Sequence, residues 1–199
     1  MKKVIFVVLA LILVVGMVQA SDMRFGAKAG LTLGNVNKDV EDLGFPSELF
    51  EKKMRMGMTF GAMMHMPVGE NMVFIGEGAY IQKGVKIEHE GDEMIMKLDY
   101  LQFDAMMKYA FADAFGIYAG PGFGFVMAAE EEYPDGSSDD IKDFVKSTEF
   151  SLNFGAQFMA MENIVLDARY NMGLTSIPDE EGAPEVMSRT ISLTVGYLF

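Results

Sequence analysis

The 199-residue chain contains no cysteine. No disulfide can staple it and no thiol can carry a lipid, so an exported form must hold together by packing and hydrogen bonding alone. Histidine is scarce, and His65 and His89 lie on separate segments without the spacing of a metal-ligand set. Neither a Gly-x-Ser-x-Gly elbow nor a phosphate-binding glycine loop is present, which removes two common signs of hydrolase and nucleotide chemistry. Bases are outnumbered, with 16 Lys and Arg against 29 Asp and Glu, and the net charge of −13 disfavours nucleic acid and other polyanions. After the first twenty residues, no apolar run approaches the ~20 residues that a spanning helix needs. Half the chain is nonetheless hydrophobic, with 16 Phe and 19 Met. A chain of this kind enters a membrane only as strands, because helices and closed barrels alone satisfy every backbone polar group in lipid.

The front of the chain has Lys2 and Lys3, an apolar run over 4–18, and Val18-Gln19-Ala20 ahead of Ser21. A basic start, a short apolar core and small residues before a cleavage point form the layout of a secretory signal peptide. Residues 1–20 are therefore expected to be removed, leaving 21–199 as one domain. Loss of the two lysines takes the formal charge from −13 to −15.

The last stretch, 187–199, sets the reading of the rest. Ile191, Leu193, Val195, Tyr197 and Phe199 share one face of an extended strand, and Ser188, Thr190, Ser192, Thr194 and Gly196 share the other. A soluble sandwich strand would show Lys and Glu on its wet face; small hydroxyls and a glycine suit a narrow, partly wet lumen. The same alternation recurs from Phe25 to Gly34, from Met54 to His65, from Tyr100 to Phe111, from Phe115 to Phe125, from Glu149 to Phe158 and from Ile164 to Thr175, and more weakly over 72–87. Glycines 116, 120, 122 and 124 line one face of the fifth segment, leaving room for long side chains from opposite strands. Eight segments of this kind predict an all-β, eight-stranded antiparallel up-and-down transmembrane β-barrel. Its connections run long, short, medium, short, long, short, long. Short periplasmic turns and longer external loops are the rule for such barrels, so both termini are expected on the periplasmic side.

Several segments read together as a familiar series: Phe25-Gly-Ala-Lys-Ala-Gly30, Tyr80-Ile-Gln-Lys-Gly84, Leu98-Asp-Tyr-Leu-Gln-Phe103 with Lys108-Tyr109, Tyr118-Ala-Gly-Pro-Gly122, Leu166-Asp-Ala-Arg-Tyr170 with Gly173-Leu174, and Val195-Gly-Tyr-Leu-Phe199. In order and spacing, the chain from Ser21 to Phe199 resembles the PorT-like family of eight-stranded outer-membrane β-barrels. It departs at Asp104, where such sequences commonly carry proline. The resemblance implies a bacterial outer-membrane location reached through the periplasm, contact with outer-membrane lipid, and recognition of Tyr197 and Phe199 by the barrel assembly machinery. It implies no catalytic residues and no cofactor.

Charge is unevenly distributed along the chain. The four long or medium connections hold Asp39, Glu41, Asp42, Glu48, Glu51, Glu88, Glu90, Asp92, Glu93, Glu130, Glu131, Glu132, Asp135, Asp139, Asp140, Asp143, Asp179, Glu180, Glu181 and Glu185. Against these twenty acids stand five lysines, Lys38, Lys52, Lys53, Lys142 and Lys146, so these connections carry the whole −15. Charge runs usually act as solvated loops; a field of this sign also favours divalent cations or a basic protein partner. Asp135, Asp139 and Asp140 supply oxygen ligands that Ca²⁺ accepts, without the spacing of a helix-loop-helix calcium site.

Inward parity gathers Arg24, Lys28, Arg55, Lys83, Lys108 and Arg169 with Glu77, Asp104, Glu149 and Asp167. An eight-stranded barrel is just wide enough for side chains to fill it, and buried charges persist when paired or wet. Lys28, Glu77, Asp104 and Arg169 fall near mid-height. With Lys108 and Asp167 they form the expected lumen charge network, with Asp104 and Asp167 as competing partners of Arg169. A Glu77–Asp104 acid-base pair is the sharper alternative, but neighbouring cations keep both carboxylates ionised. The expected function is non-enzymatic: envelope support, or presentation of acidic loops to a partner or to cations. The alternatives are a narrow solute channel and a lipid-modifying enzyme, which would need a histidine-containing set at the outer rim.

Overall fold

The structure is a computed structural model that describes residues 23–39, 41–42, 46, 49–180 and 182–199. The expected signal peptide lies outside them, as do Glu48 and Glu181 of the acidic connections. Among the described residues there are nine strands, eight of them with period-2 patterning and β6 a short exposed one: β1 (Arg24–Val36), β2 (Glu51–Pro67), β3 (Met72–His89), β4 (Asp92–Ala110), β5 (Phe115–Glu132), β6 (Ser138–Asp140), β7 (Thr148–Met159), β8 (Ile164–Gly173) and β9 (Ser188–Leu198). Eight of them close into a ring. Each neighbour pairs antiparallel in chain order, β5 pairs with β7, and β9 returns to pair with β1. β6 is a short hairpin arm on the end of β5, followed by a 3-10 turn at Lys142–Phe144.

One row of partners runs from Gly26 through Met63, Glu77, Asp104, Gly122 and Ser151 to Gly173, and the last strand brings it back near Val36. It rejoins β1 about ten residues along, the stagger that tilts the strands of a closed barrel. Side chains alternate accordingly. Leu193, Val195, Phe60, Phe25, Ile117 and Phe150 stand more than half exposed on the outside, while Thr32, Lys83, Asn153 and Asn171 are fully buried inside. No water-soluble packing explains an apolar belt around the whole circumference with polar groups at the centre; a surrounding hydrocarbon layer does. Rings cluster where β4, β5 and β7 meet the short turns: Phe115 stacks on Phe158 at 4.6 Å and on Phe111 at 6.4 Å.

The strands differ in length. β2 to β5 have 17 to 19 residues and β7 to β9 have 10 to 12, so half the ring rises well above the other half at the end that bears the long connections. The expected medium connection over 88–93 is strand instead. Glu88 pairs with Glu93 and His89 with Asp92, leaving Glu90 and Gly91 as a two-residue turn. Both turn residues have positive φ, 50° and 95°, as a right-twisted hairpin requires. Glu51, Glu130, Glu131 and Glu132 likewise belong to strands rather than to loops.

Candidate functional site

The interior is the most organised part of the molecule, and the register explains why. Glu77 and Asp104 are direct cross-strand partners on β3 and β4, and β8 lies opposite β3 in the ring. Arg169 projects from β8 across the interior and meets both carboxylates, with Nη1 2.7 Å from Glu77 and 3.1 Å from Asp104 and Nη2 2.9 Å from the second Glu77 oxygen. Lys28 reaches Glu77 from β1. The Tyr118 hydroxyl donates to Asp167 at 2.7 Å and accepts from Arg169 Nε at 2.8 Å, and its ring lies beneath the guanidinium with 5.2 Å to the centroid. Asp104 also accepts from Gln102 at 2.7 Å and from Asn153 at 2.9 Å. Lys28, Glu77, Asp104, Asp167 and Arg169 are thus in one web. Lys108 shares the interior and faces Asp167 electrostatically without a hydrogen bond into the web.

A second web sits nearer the long connections. Lys83 pairs with Glu149 and donates to Asn171 at 2.8 Å; Ser188 donates to Glu149 at 2.6 Å; Asn171 donates to Ser151 at 3.0 Å and to Asn153 at 2.9 Å. Asn153 therefore ties the two webs together. Among the described residues, the buried charged side chains are Lys28, Lys83, Lys108 and Arg169 against Glu77, Asp104, Glu149 and Asp167. Four cations and four anions leave the interior neutral, the condition under which buried charge is tolerated. Parity places Lys83 and Glu149 inward but outside the mid-height network; the parts played by Asn153 and Tyr118 emerge only once the register sets them beside Asp104 and Arg169.

Missing side chains make the room. A Cβ on Gly155 would run into the Tyr118 ring, its cross-strand neighbour, and one on Gly122 would strike Asp104, Ser151 and Asn153. The hydroxyls of Thr190, Ser192 and Thr194 have no protein partner and suit internal water.

Above and below the webs the interior turns apolar. At the end of the long connections, Val36, Ile81, Val85, Leu98, Tyr100, Val126, Val145, Ile177 and Val186 pack into one cluster. At the other end lie Met63, Val165 and Leu198, and Ile75 with Met106.

Arg55 departs from its inward assignment. The β2–β3 ladder shifts register between Met54 and Thr59, and Arg55 bonds the Lys83 carbonyl and lies 3.7 Å from Asp99. Asp99 shares a face with the exposed Leu101 and also accepts from Tyr80 and Gln82, so Arg55 reaches the outer side of the wall. His65 is buried toward the short turns, whereas His89 stacks on Phe50 at 4.4 Å near the long connections. Asp135 sits in the β5–β6 turn, where Ser137 hydrogen bonds hold its carboxyl below the usual value. Asp139 and Asp140 lie in β6, and no three acids or histidines among the described residues are gathered to hold a metal. Tyr197 and Phe199 meet edge to face at 5.6 Å on the outer surface.

The sequence matches the family model for the outer membrane protein beta-barrel domain over residues 18–179. No curated protein matches it. Among solved structures, Ail, the attachment invasion locus protein of Yersinia pestis, is 20% identical, covers 88% of this chain and 98% of its own, and superposes with a TM-score of 0.50. Neisserial surface protein A is 15% identical, with 88% and 97% covered and a TM-score of 0.56. At these identities the likenesses speak for the fold alone.

Proposed function

This chain belongs to the outer membrane protein β-barrel domain family and resides in the bacterial outer membrane; from that premise we propose that it is a closed, non-catalytic barrel that presents an acidic external face to a partner. The finer kinship, to PorT-like barrels, is part of the same proposal and rests on the order of the six segments quoted above. The long connections face outward and the short turns face the periplasm, as the lengths of the connections imply. Tyr197 and Phe199 serve as the feature read by the assembly machinery, and outer-membrane lipid covers the belt. The external acids attract divalent cations or a basic protein.

The observation that carries the closed reading is Arg169, whose guanidinium spans the interior to Glu77 and Asp104. In an open, hydrated pore these charges would gain little from meeting, whereas here they are buried together. Catalysis finds less support: His65 lies buried at the periplasmic end and His89 is stacked on Phe50, so neither shares a rim site with a nucleophile. In a planar bilayer, the purified protein is expected to show no steady conductance. A stable, ion-selective current that disappears on changing Arg169 or Glu77 would replace this reading with the channel.

A further inference from the structure

On the tall half of the barrel, the two faces differ in how their acids are held. On the outward side of the strand extensions Glu88 pairs with Lys53, Glu93 with Lys86 at 2.8 Å and Glu132 with Lys97, while Glu130 sits across the ladder from Lys97 without an ion pair of its own among the described residues. On the inner side the extensions are apolar apart from Glu131 and Lys52, the latter facing Ile87 across the ladder and paired with Asp39 at 2.9 Å, and the shorter β8 and β9 rise less far beside them. Two adjoining hollows result, sharing Met96 and Glu131. One of about 150 Å³ is lined by Val36, Val85, Ile87 and Val186; the other, about 770 Å³, opens between Ile141, Phe144 and Ile177. Their acids are Glu131, Asp143, Asp179 and Glu180, and none of these has an ion pair among the described residues. Phe144, at the mouth, is 72% exposed.

We propose that this cleft binds a basic amphipathic peptide segment, with an aliphatic or aromatic side chain in the small hollow and Lys or Arg against Glu131 and the outer acids. Charge complementarity selects this occupant: the one cation at the edge, Lys52, is neutralised by Asp39, and the groups left without a counter-ion are carboxylates, which repel an acidic segment and favour a basic one. The small hollow has the volume of a cavity that takes one benzene-sized group. The larger falls within the range of ligand sites and extends over several residues. The proposal deepens the reading of the acidic face as a partner surface, but it requires neither a closed lumen nor an external orientation.

The test uses the full barrel in nanodiscs of uncharged phosphatidylcholine, where both ends are accessible, and a fluorescent octapeptide alternating Lys with Leu or Phe. Binding is expected to weaken about tenfold in Glu131→Gln, to be lost when the Leu and Phe of the peptide become Ser, and to be unchanged in Glu132→Gln on the paired face. Equal effects of Glu131→Gln and Glu132→Gln, retention by the Ser peptide, or no binding to the unmodified barrel would each overturn the cleft. A conducting lumen with intact peptide binding would overturn closure alone.

Discussion

Arg169 is the residue on which the interior depends, because it is the only described cation that touches Glu77, Asp104 and Asp167 together. Removing it leaves the cross-strand carboxylates Glu77 and Asp104 with Lys28 alone. Arg169→Met keeps the aliphatic stem and is expected to lower the unfolding free energy by ~3 kcal/mol, as for other buried pairs broken on one side, read as an earlier urea midpoint. The arithmetic of charge then ranks the rescues. Lys28 already covers Glu77, so adding Asp104→Asn removes the surplus anion and is expected to restore part of the loss, by the non-additivity of coupled residues. Asp167→Asn should restore less, since its contact with Arg169 is the longest at 3.7 Å. Equal recovery from both would show that the web acts as diffuse charge. Gly155 provides the complementary test. Gly155→Ala drives a methyl into the Tyr118 ring, and it is expected to cost ~1–3 kcal/mol, as overpacking does. Gly69→Ala, in the turn between β2 and β3 where a Cβ meets only ordinary contact with Met72 at 3.7 Å, should cost less.

At the scale of elements, strand parity was legible because a buried polar face and a lipid-facing apolar face give opposite signals at every second residue. β9 and β7 read cleanly for that reason. β3 did not, and the cause is visible: its inward residues Ile75, Ile81, Val85 and Ile87 are apolar because the interior itself is apolar toward both ends, so the contrast on which the pattern depends vanishes. Charged composition misled in the other direction. Residues 88–93 look like a loop yet form a hairpin, since antiparallel backbone pairing above the membrane tolerates Glu and Lys on a solvated face. Arg55 could not be placed from parity alone, because a register shift reassigns the face of everything beside it. The sequence offered Asp104 and Asp167 as partners of Arg169 and placed Glu77 beside them; that Glu77 takes both terminal guanidinium nitrogens, with Asp104 at 3.1 Å and Asp167 at 3.7 Å, and that Tyr118 and Asn153 join in, required the register. One prediction belongs here: protease added to intact cells should cut first at residues 133–137, the exposed turn between β5 and β6. First cuts at 68–71, 111–114 or 160–163 would invert the orientation.

For the whole molecule, the proposed closed barrel rests on the neutral, bonded interior, with apolar clusters toward both ends and a lipid-facing belt around it. The lack of cysteine makes this directly measurable, since any single introduced thiol is unique. Ser192 is 3% exposed at the level of the Arg169 web, and Ser192→Cys changes little volume. A membrane-impermeant thiol reagent applied to intact cells and then to lysed envelopes is expected to modify Asp135→Cys from outside and Glu70→Cys only after lysis. It should leave Ser192→Cys unmodified from both sides until the barrel is unfolded. Labelling of Ser192→Cys in the folded barrel, from either side, would contradict the closed interior.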